Sequence, residues 1–230
     1  MSRERRFHVS SLDSETVELS PEQAHHLLDV LRLREGAEVA LFDGNGGAAR
    51  AKVQRIAGRE VELRLLGPEP SRESPLSLTL AVSPPRGDRM SFLIEKLTEL
   101  GVARVIPLET ERGRAAGNLE RCRRVALEAC KQSGRSRAPA IESPRSMASV
   151  LEEPGPVVVA HPGAPRLAVG AVDKIVALVG PEGGWSENEL SLAAARGVTL
   201  IGLGPRTLRT ETAALTIATL LQYLAGDLGE

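Results

Sequence analysis

Aromatic residues are almost missing from this sequence. Phe, Trp and Tyr make up only 2% of its 230 residues, so the core must be built from Leu, Val, Ile and Ala. The ring platforms on which many single-strand RNA binders stack bases are excluded with them. Cysteine is as scarce: Cys122 and Cys130 lie eight positions apart in a stretch that reads as one helix. At a rise of about 1.5 Å per residue they are roughly 12 Å apart, too far for a disulfide. No C-x-x-C pair and no metal-binding spacing occurs, which points to a reducing compartment and to no metal. Nor is either charge in excess. A net charge of -1 excludes bulk attraction to nucleic acid, though not a local basic patch. No apolar run reaches membrane-spanning length, and the opening MSRERRFHVSS has no apolar core of the secretory kind. The expectation is a cytoplasmic protein with no membrane partner.

What is present is an ordinary globular composition, 42% hydrophobic and 26% charged, in a chain long enough for two domains. LSPEQAHHLLDVL reads as a helix with Ser20 as cap, Pro21 in the first turn and Gln23 closing a capping box. EVALFD, ARAKVQRI and EVELRLL alternate like half-buried strands, so the first part is a small β-rich domain. Gly67 to Pro75, rich in proline, serine and charge, reads as the interdomain linker. The period then changes. LSLTLAV and ARVIPLE read as strands, MSFLIEKLTELG and NLERCRRVALEACKQSG as helices, and PVVVA, KIVALVG and TLIGLG as strands apolar throughout. Such continuous runs belong to a parallel sheet covered on both faces, and their alternation with helices makes the second part α/β.

Each of those last three strands ends in glycine, proline and charge: HPGAPR, GPEGGWSE and GPRTLRTE. Open parallel sheets bind ligands beyond the carboxyl ends of their strands, so three such loops are expected to converge on one site. The pattern Gly44, Gly46, Ala49 mimics a dinucleotide fingerprint, but an alternating strand follows it instead of a helix, which makes it a hairpin turn. In VGPEGGWSENEL the glycines admit a ligand close to the backbone, and Ser186 with Glu189 forms a capping box. Glu182 would repel a phosphate there, and the lysine of a P-loop is missing, so a ligand without phosphate fits better.

In LGPRTLRTETAAL, Thr210 or Thr212 can cap the following helix and Glu211 suits its dipole. Arg206 and Arg209 do not, because cations at a helix start oppose the dipole. Their presence suggests an anionic or strongly accepting ligand. Between Arg112 and Arg137 eight basic residues face only Glu120 and Glu128, and Arg3, Arg5 and Arg6 form a second cluster. A run of this kind is either a solvated helix face or a phosphate footprint.

VGPEGGWSENEL and LGPRTLRTETAAL together resemble the signature motifs of the RsmE-type ribosomal RNA methyltransferases. GDRMSFLIEKLTELGVARVIPL, RRVALEACKQSGR and HHLLDVLRLREGAEVALFDGNGG are similar as well, so the resemblance runs over nearly the whole chain. It implies a PUA-like RNA-binding β-barrel at 1–70, then a SPOUT methyltransferase domain at 74–230 whose parallel sheet carries a C-terminal trefoil knot. It implies a homodimer that transfers methyl from S-adenosyl-L-methionine to N3 of one uridine in 16S rRNA of the small ribosomal subunit. The implied cofactor residues are His161, Gly180, Pro181, Glu182, Gly183, Gly184, Leu203, Gly204, Leu208, Arg209, Thr210 and Thr212. Arg209 is expected to stabilise charge developing on the uracil carbonyls, and Glu211 to accept the N3 proton. Arg3, Arg5, Arg6, Arg86, Arg112, Arg114 and Arg135 are the expected RNA contacts. Thr207 departs from the family, standing where an aliphatic residue is usual. An RNA-binding module with a silent catalytic domain and a nucleotide-dependent enzyme are the competing readings; the intact glycine loops count against the first, Glu182 against the second.

Overall fold

A computed structural model of the chain describes residues 5–87, 89–170 and 172–229. Arg3 lies outside them. The chain forms two compact units, Met1–Glu73 with Leu127–Ala138, and Ser74–Ala126 with Pro139–Glu230.

The first unit contains β1 (Arg6–His8), β2 (Thr16–Glu18), α1 (Pro21–His25), a π-helical turn (His26–Val30), β3 (Glu38–Phe42), β4 (Ala48–Ala57) and β5 (Glu60–Pro68). The strands make one mixed sheet in the order β1-β3-β4-β5-β2, with β1 parallel to β3 and the other neighbours antiparallel. The three alternating segments are strands as read; β1 and β2 hold three residues each, too few for alternation to show. Phe7, Leu27, Leu41, Val53, Val61 and Leu63 form the core on one face. Gly44 and Gly46 have φ of 75° and 114° in the turn joining antiparallel β3 and β4, where Asp43 accepts hydrogen bonds from the amides of Asn45 and Gly47. The glycine run is thus a hairpin turn, not a dinucleotide loop.

Two expectations need correction here. Ser20 Oγ does cap α1, accepting from Gln23 N at 3.4 Å, but the box does not close: Gln23 Oε1 is buried without a partner among the described residues. The helix is α-helical for only five residues before it widens into the π turn. The segment Gly67 to Pro75, whose first two residues end β5, contains the boundary between the units as expected of a linker, and it is tied down by ion pairs. Glu69 pairs with Arg6 at 3.1 Å. Glu73 accepts from Arg135 Nη2 at 2.7 Å and from the amides of Ser136 and Arg137 at 2.9 and 3.0 Å. Burial opposes the charge on Glu73, yet these donors outweigh it and hold the carboxyl below its ordinary range. Arg6 and Arg135 are therefore buried ion-pair partners, only 4% and 5% exposed, and not members of an exposed basic patch.

The second unit runs β6 (Ser77–Val82), α2 (Arg89–Glu99), β7 (Arg104–Glu109), α3 (Leu119–Ser133), β8 (Ala140–Ile141), β9 (Arg145–Ser146), α4 (Met147–Val150), β10 (Val157–Ala160), β11 (Lys174–Val179), α5 (Glu187–Ala195), β12 (Thr199–Ile201) and α6 (Thr210–Ala225). From Leu127 onward α3 belongs to the first unit. The sheet is parallel throughout, in the order β12-β10-β11-β6-β7-β8, with β9 beside β7. The apolar strands are buried as their composition requires, and α6 packs Ala214, Ile217, Ala218 and Leu221 into the interior. Cys122 and Cys130 are free thiols buried in α3, and burial pushes Cys130 up to about 11. Among the described residues no helix is long and apolar enough to cross a membrane, and no His, Cys, Asp and Glu cluster suits a metal.

An ionic cluster fixes the strand edge of this unit. Arg104 and Arg145 reach Glu153 at 2.9 and 2.5 Å, and their hydrogen bonds hold its carboxyl down to about 2 from an ordinary 4.5. A depressed acid stabilises the fold above its unfolded pKa and loses that contribution as pH falls through the folded value. Wild-type Tm is therefore expected to drop between about pH 4.5 and 2, with Glu153→Gln lowering Tm at pH 7 and flattening that limb. Melting curves across this range test it; an unchanged acid limb in the variant would assign the loss to other carboxylates.

Candidate active site

β10 lies between β11 and β12, so the loops leaving the carboxyl ends of all three meet at one end of the sheet. They enclose a cavity. His161 comes from the loop after β10; Gly180, Pro181, Glu182 and Gly184 from the loop after β11; Leu203, Gly204, Leu208 and Thr210 from the run between β12 and α6. Gly183, Arg209 and Thr212 of the same loops do not line it, and the last two are exposed. Ala160, Pro162, Val179, Trp185, Arg206, Thr207 and Ala213 complete the wall. Of these, Arg206 was legible as a cation set against the dipole.

Local bonds hold each loop in place. Trp185 Nε1 donates to Ala160 O at 2.9 Å, tying the first two loops together. A Cβ at Gly180 would stand 2.8 Å from that indole, which explains the glycine. Gly180→Ala is expected to displace the ring and weaken S-adenosylhomocysteine binding about tenfold, the overpacking cost being about 1–3 kcal/mol. Calorimetric titration checks this; unaltered affinity would show that the indole does not shape the cavity. Gly184, at φ 70°, makes the turn into α5. The capping box there closes in both directions, Glu189 N to Ser186 Oγ at 3.1 Å and Ser186 N to Glu189 Oε2 at 2.8 Å. Arg112 donates to the carbonyls of Gly183 and Trp185, both at 3.1 Å. Its guanidinium braces the glycine loop, where the sequence suggested an RNA contact.

The start of α6 differs from expectation. Neither threonine caps it. Arg209 occupies the N-cap with no side-chain cap bond, and Thr210 Oγ1 donates instead to Gly180 O at 3.1 Å, joining the second and third loops. Glu211, with a side chain 12% exposed, pairs through Oε1 with Arg89 at 3.0 Å. Its Oε2 is buried and has no partner among the described residues. An unmet buried acceptor costs about 1–3 kcal/mol and calls for an explanation such as a ligand or proton donor. Arg86 reaches Glu182 at 3.1 Å, and Arg89 stands 4.0 Å from the same carboxylate. Arg86 and Arg89 thus join two carboxylates, one from the loop after β11 and one from the first turn of α6, a constellation invisible to local sequence patterns. Arg5 and Arg114 are exposed.

A ligand suited to this wall has an apolar or planar body, no phosphate beside Glu182, and an anionic end for Arg206. A purine nucleoside linked through a sulfonium to an amino acid carries those features. Its cation would suit Glu182, its carboxylate Arg206, and its rings Leu203, Leu208 and Val179.

Comparison with known proteins agrees with this chemistry. A family model for the RNA methyltransferase domain matches residues 72–222, and one for the RNA methyltransferase PUA domain matches residues 19–66. The ribosomal RNA small subunit methyltransferase E of Synechocystis is 38% identical over 212 residues, 86% of this chain and 70% of that protein. The Bacillus subtilis protein of the same name is 28% identical over 241 residues, 94% of each chain. The crystal structure of the Neisseria gonorrhoeae ribosomal RNA small subunit methyltransferase E bound to S-adenosyl methionine superposes with a TM-score of 0.89 at 35% identity, covering 98% of this chain and 99% of that one. A Legionella pneumophila methyltransferase in complex with the same cofactor gives 0.87 at 32% identity, covering 98% and 100%. With matches over both parts of its length, the chain belongs to the family of the ribosomal RNA small subunit methyltransferases E.

Proposed function

We propose that this protein transfers methyl from S-adenosyl-L-methionine to N3 of a uridine in 16S rRNA within the small ribosomal subunit, acting in the cytoplasm as a homodimer. The observation that carries the reading is the convergence of three glycine loops on one phosphate-averse cavity, with the Arg89–Glu211 pair at the start of α6. S-adenosyl-L-methionine supplies a methyl group on a positively charged sulfur that departs as a neutral thioether.

His161, Gly180, Pro181, Glu182, Gly184, Leu203, Gly204, Leu208 and Thr210 hold that cofactor, with Arg206 on its carboxylate. Gly183 and Thr212 act through the loops they belong to. Uracil N3 must lose its proton to become a nucleophile, and Glu211 Oε2, buried and unpartnered among the described residues, is the acceptor assigned to it. Arg89 orients this carboxylate by holding Oε1. Arg209, an exposed guanidinium one residue from Thr210, stabilises negative charge that spreads onto the uracil carbonyls as the proton leaves. Arg5, Arg86 and Arg114 are the exposed cations that meet RNA phosphates.

A domain division at 1–70 and 74–230 is supported by family matches over residues 19–66 and 72–222, the first part gripping RNA and the second performing chemistry. Gly202 N donates to Pro165 O at 2.6 Å, and a Cβ at Gly202 would lie 2.2 Å from Ala164 O, so the run after β12 presses against the run after β10. Such contact is what threading of a knot requires. Leu220, Tyr223, Leu224 and Leu228 expose apolar surface along and just beyond α6, as a dimer face does.

The deciding experiment is transfer of labelled methyl to small subunits lacking their native methylation, with naked 16S rRNA beside them, followed by nucleoside mass spectrometry. A 3-methyluridine product is expected on the subunit. Cofactor binding without any methylated product would overturn the substrate, and no cofactor binding would overturn the activity.

A further inference from the structure

We propose that the first unit contains a pocket for one unstacked nucleotide of the RNA, its base edge read by the Gln23 carboxamide. This rests on the RNA-methyltransferase reading and adds to it a recognition site remote in sequence from the catalytic loops.

A cavity of about 570 Å³ opens between the first strand, α1 with its π turn, and the C-terminal part of α3, and every residue lining it belongs to the first unit. The size is that of a small-molecule site, about 300–1,000 Å³. Two buried polar atoms among its lining residues lack partners among the described residues: Gln23 Oε1, in a residue 7% exposed, and Arg6 Nε, in a residue 4% exposed. A folded protein rarely leaves such atoms unmet unless something else meets them. A carboxamide presents one acceptor and a pair of donors in a plane, the complement of a base edge.

The remaining walls suit the rest of a nucleotide. Val30, 58% exposed, and Leu31 supply apolar surface for a ring. His26 packs edge-on against Phe7 at 6.0 Å, and burial, then Lys131, lower its pKa so that the imidazole is neutral at pH 7. Histidine and guanidinium planes stack bases as aromatic rings do, which answers the shortage of aromatics in this chain. Arg5 and Lys131 supply positive charge for one phosphate, while Glu22 and Glu128 limit it. Glu128 already pairs with Lys131 at 3.5 Å, which argues against a site for bulk polyanion.

The backbone is irregular at this wall. Leu31 N donates to His26 O, closing the π turn, and Arg32 just beyond adopts φ 52°. Such departures from a regular helix cost stability and occur frequently at functional sites. The π turn places His26, Val30 and Leu31 together on the cavity.

The test titrates the 5′-monophosphates of uridine, cytidine, adenosine and guanosine separately into the full chain, followed by amide chemical shifts. In parallel, KM for undermethylated small subunits is measured for wild type, Val30→Trp and Gln23→Leu. Val30 is exposed, so the tryptophan fills the cavity without entering the core; unchanged amide shifts in the first unit away from the pocket confirm folding. One nucleotide is expected to shift pocket amides in wild type and none in Val30→Trp, whose KM rises about tenfold, the worth of one well-placed base contact. Gln23→Leu is expected to lose discrimination among the four bases. Absence of binding to a wild-type chain that still holds S-adenosylhomocysteine overturns the proposal, as do shifts that persist in Val30→Trp. Nucleotide binding blocked by Val30→Trp with KM unchanged would assign the pocket to a free nucleotide instead of RNA. Nucleotide binding in a chain that methylates no subunit would overturn the proposed activity and leave the pocket standing.

Discussion

Replacing Arg209 by alanine is expected to lower turnover about 10²–10³-fold, as removal of a single oxyanion donor does, while leaving cofactor affinity unchanged. The side chain is exposed, does not line the cavity, and has no hydrogen bond or ion pair among the described residues. It contributes no cap to α6, and its charge opposes the helix dipole, so the substitution should not lower Tm. A cation that neither caps its helix nor lines the cavity is available to a substrate, the role proposed for it above. Arg209→Lys keeps the charge but loses the planar fork, and should recover only part of the rate. Single-turnover rates on saturated subunits, with separate titration of S-adenosylhomocysteine, make the measurement. Collapse of cofactor affinity together with the rate would place Arg209 in cofactor binding and remove it from charge stabilisation.

The catalytic end of the sheet was legible because its signals are local. Continuous apolar runs name buried parallel strands, and a glycine run after each names a carboxyl-end loop. The Ser186–Glu189 box appeared as read because both partners lie within one helical turn. The first helix shows the limit of the same reasoning: Ser20 and Gln23 have the right spacing, but the helix yields to a π turn and Gln23 keeps an unmet acceptor. Charge misled where its partner is distant in sequence. Arg6 and Arg135 look like members of a basic surface until Glu69 and Glu73 are seen to bury them, and those glutamates sit in a stretch whose proline content reads as a linker. Arg112 reads as an RNA contact until its guanidinium is found on the carbonyls of Gly183 and Trp185. The Arg89–Glu211 pair joins α2 to α6, and no periodicity encodes a contact of that kind.

That pair supports the second large effect. Glu211→Gln is expected to cost about 10²–10⁴-fold in turnover, the usual contribution of a positioned general base. It keeps the shape of the side chain and removes the proton acceptor, so cofactor affinity should hold. The rival role is structural: an acid in the first turn of α6 favours the helix dipole, worth about 0.3–1 kcal/mol. If that were all, Glu211→Gln would shift Tm slightly and leave turnover intact. Arg89 separates the two roles. Should Arg89 act by aiming Glu211, Arg89→Ala must slow the wild type but add little to Glu211→Gln, because the group it orients is already gone. Should Arg89 instead bind RNA on its own, the two losses must multiply. Four proteins and one rate constant complete this cycle.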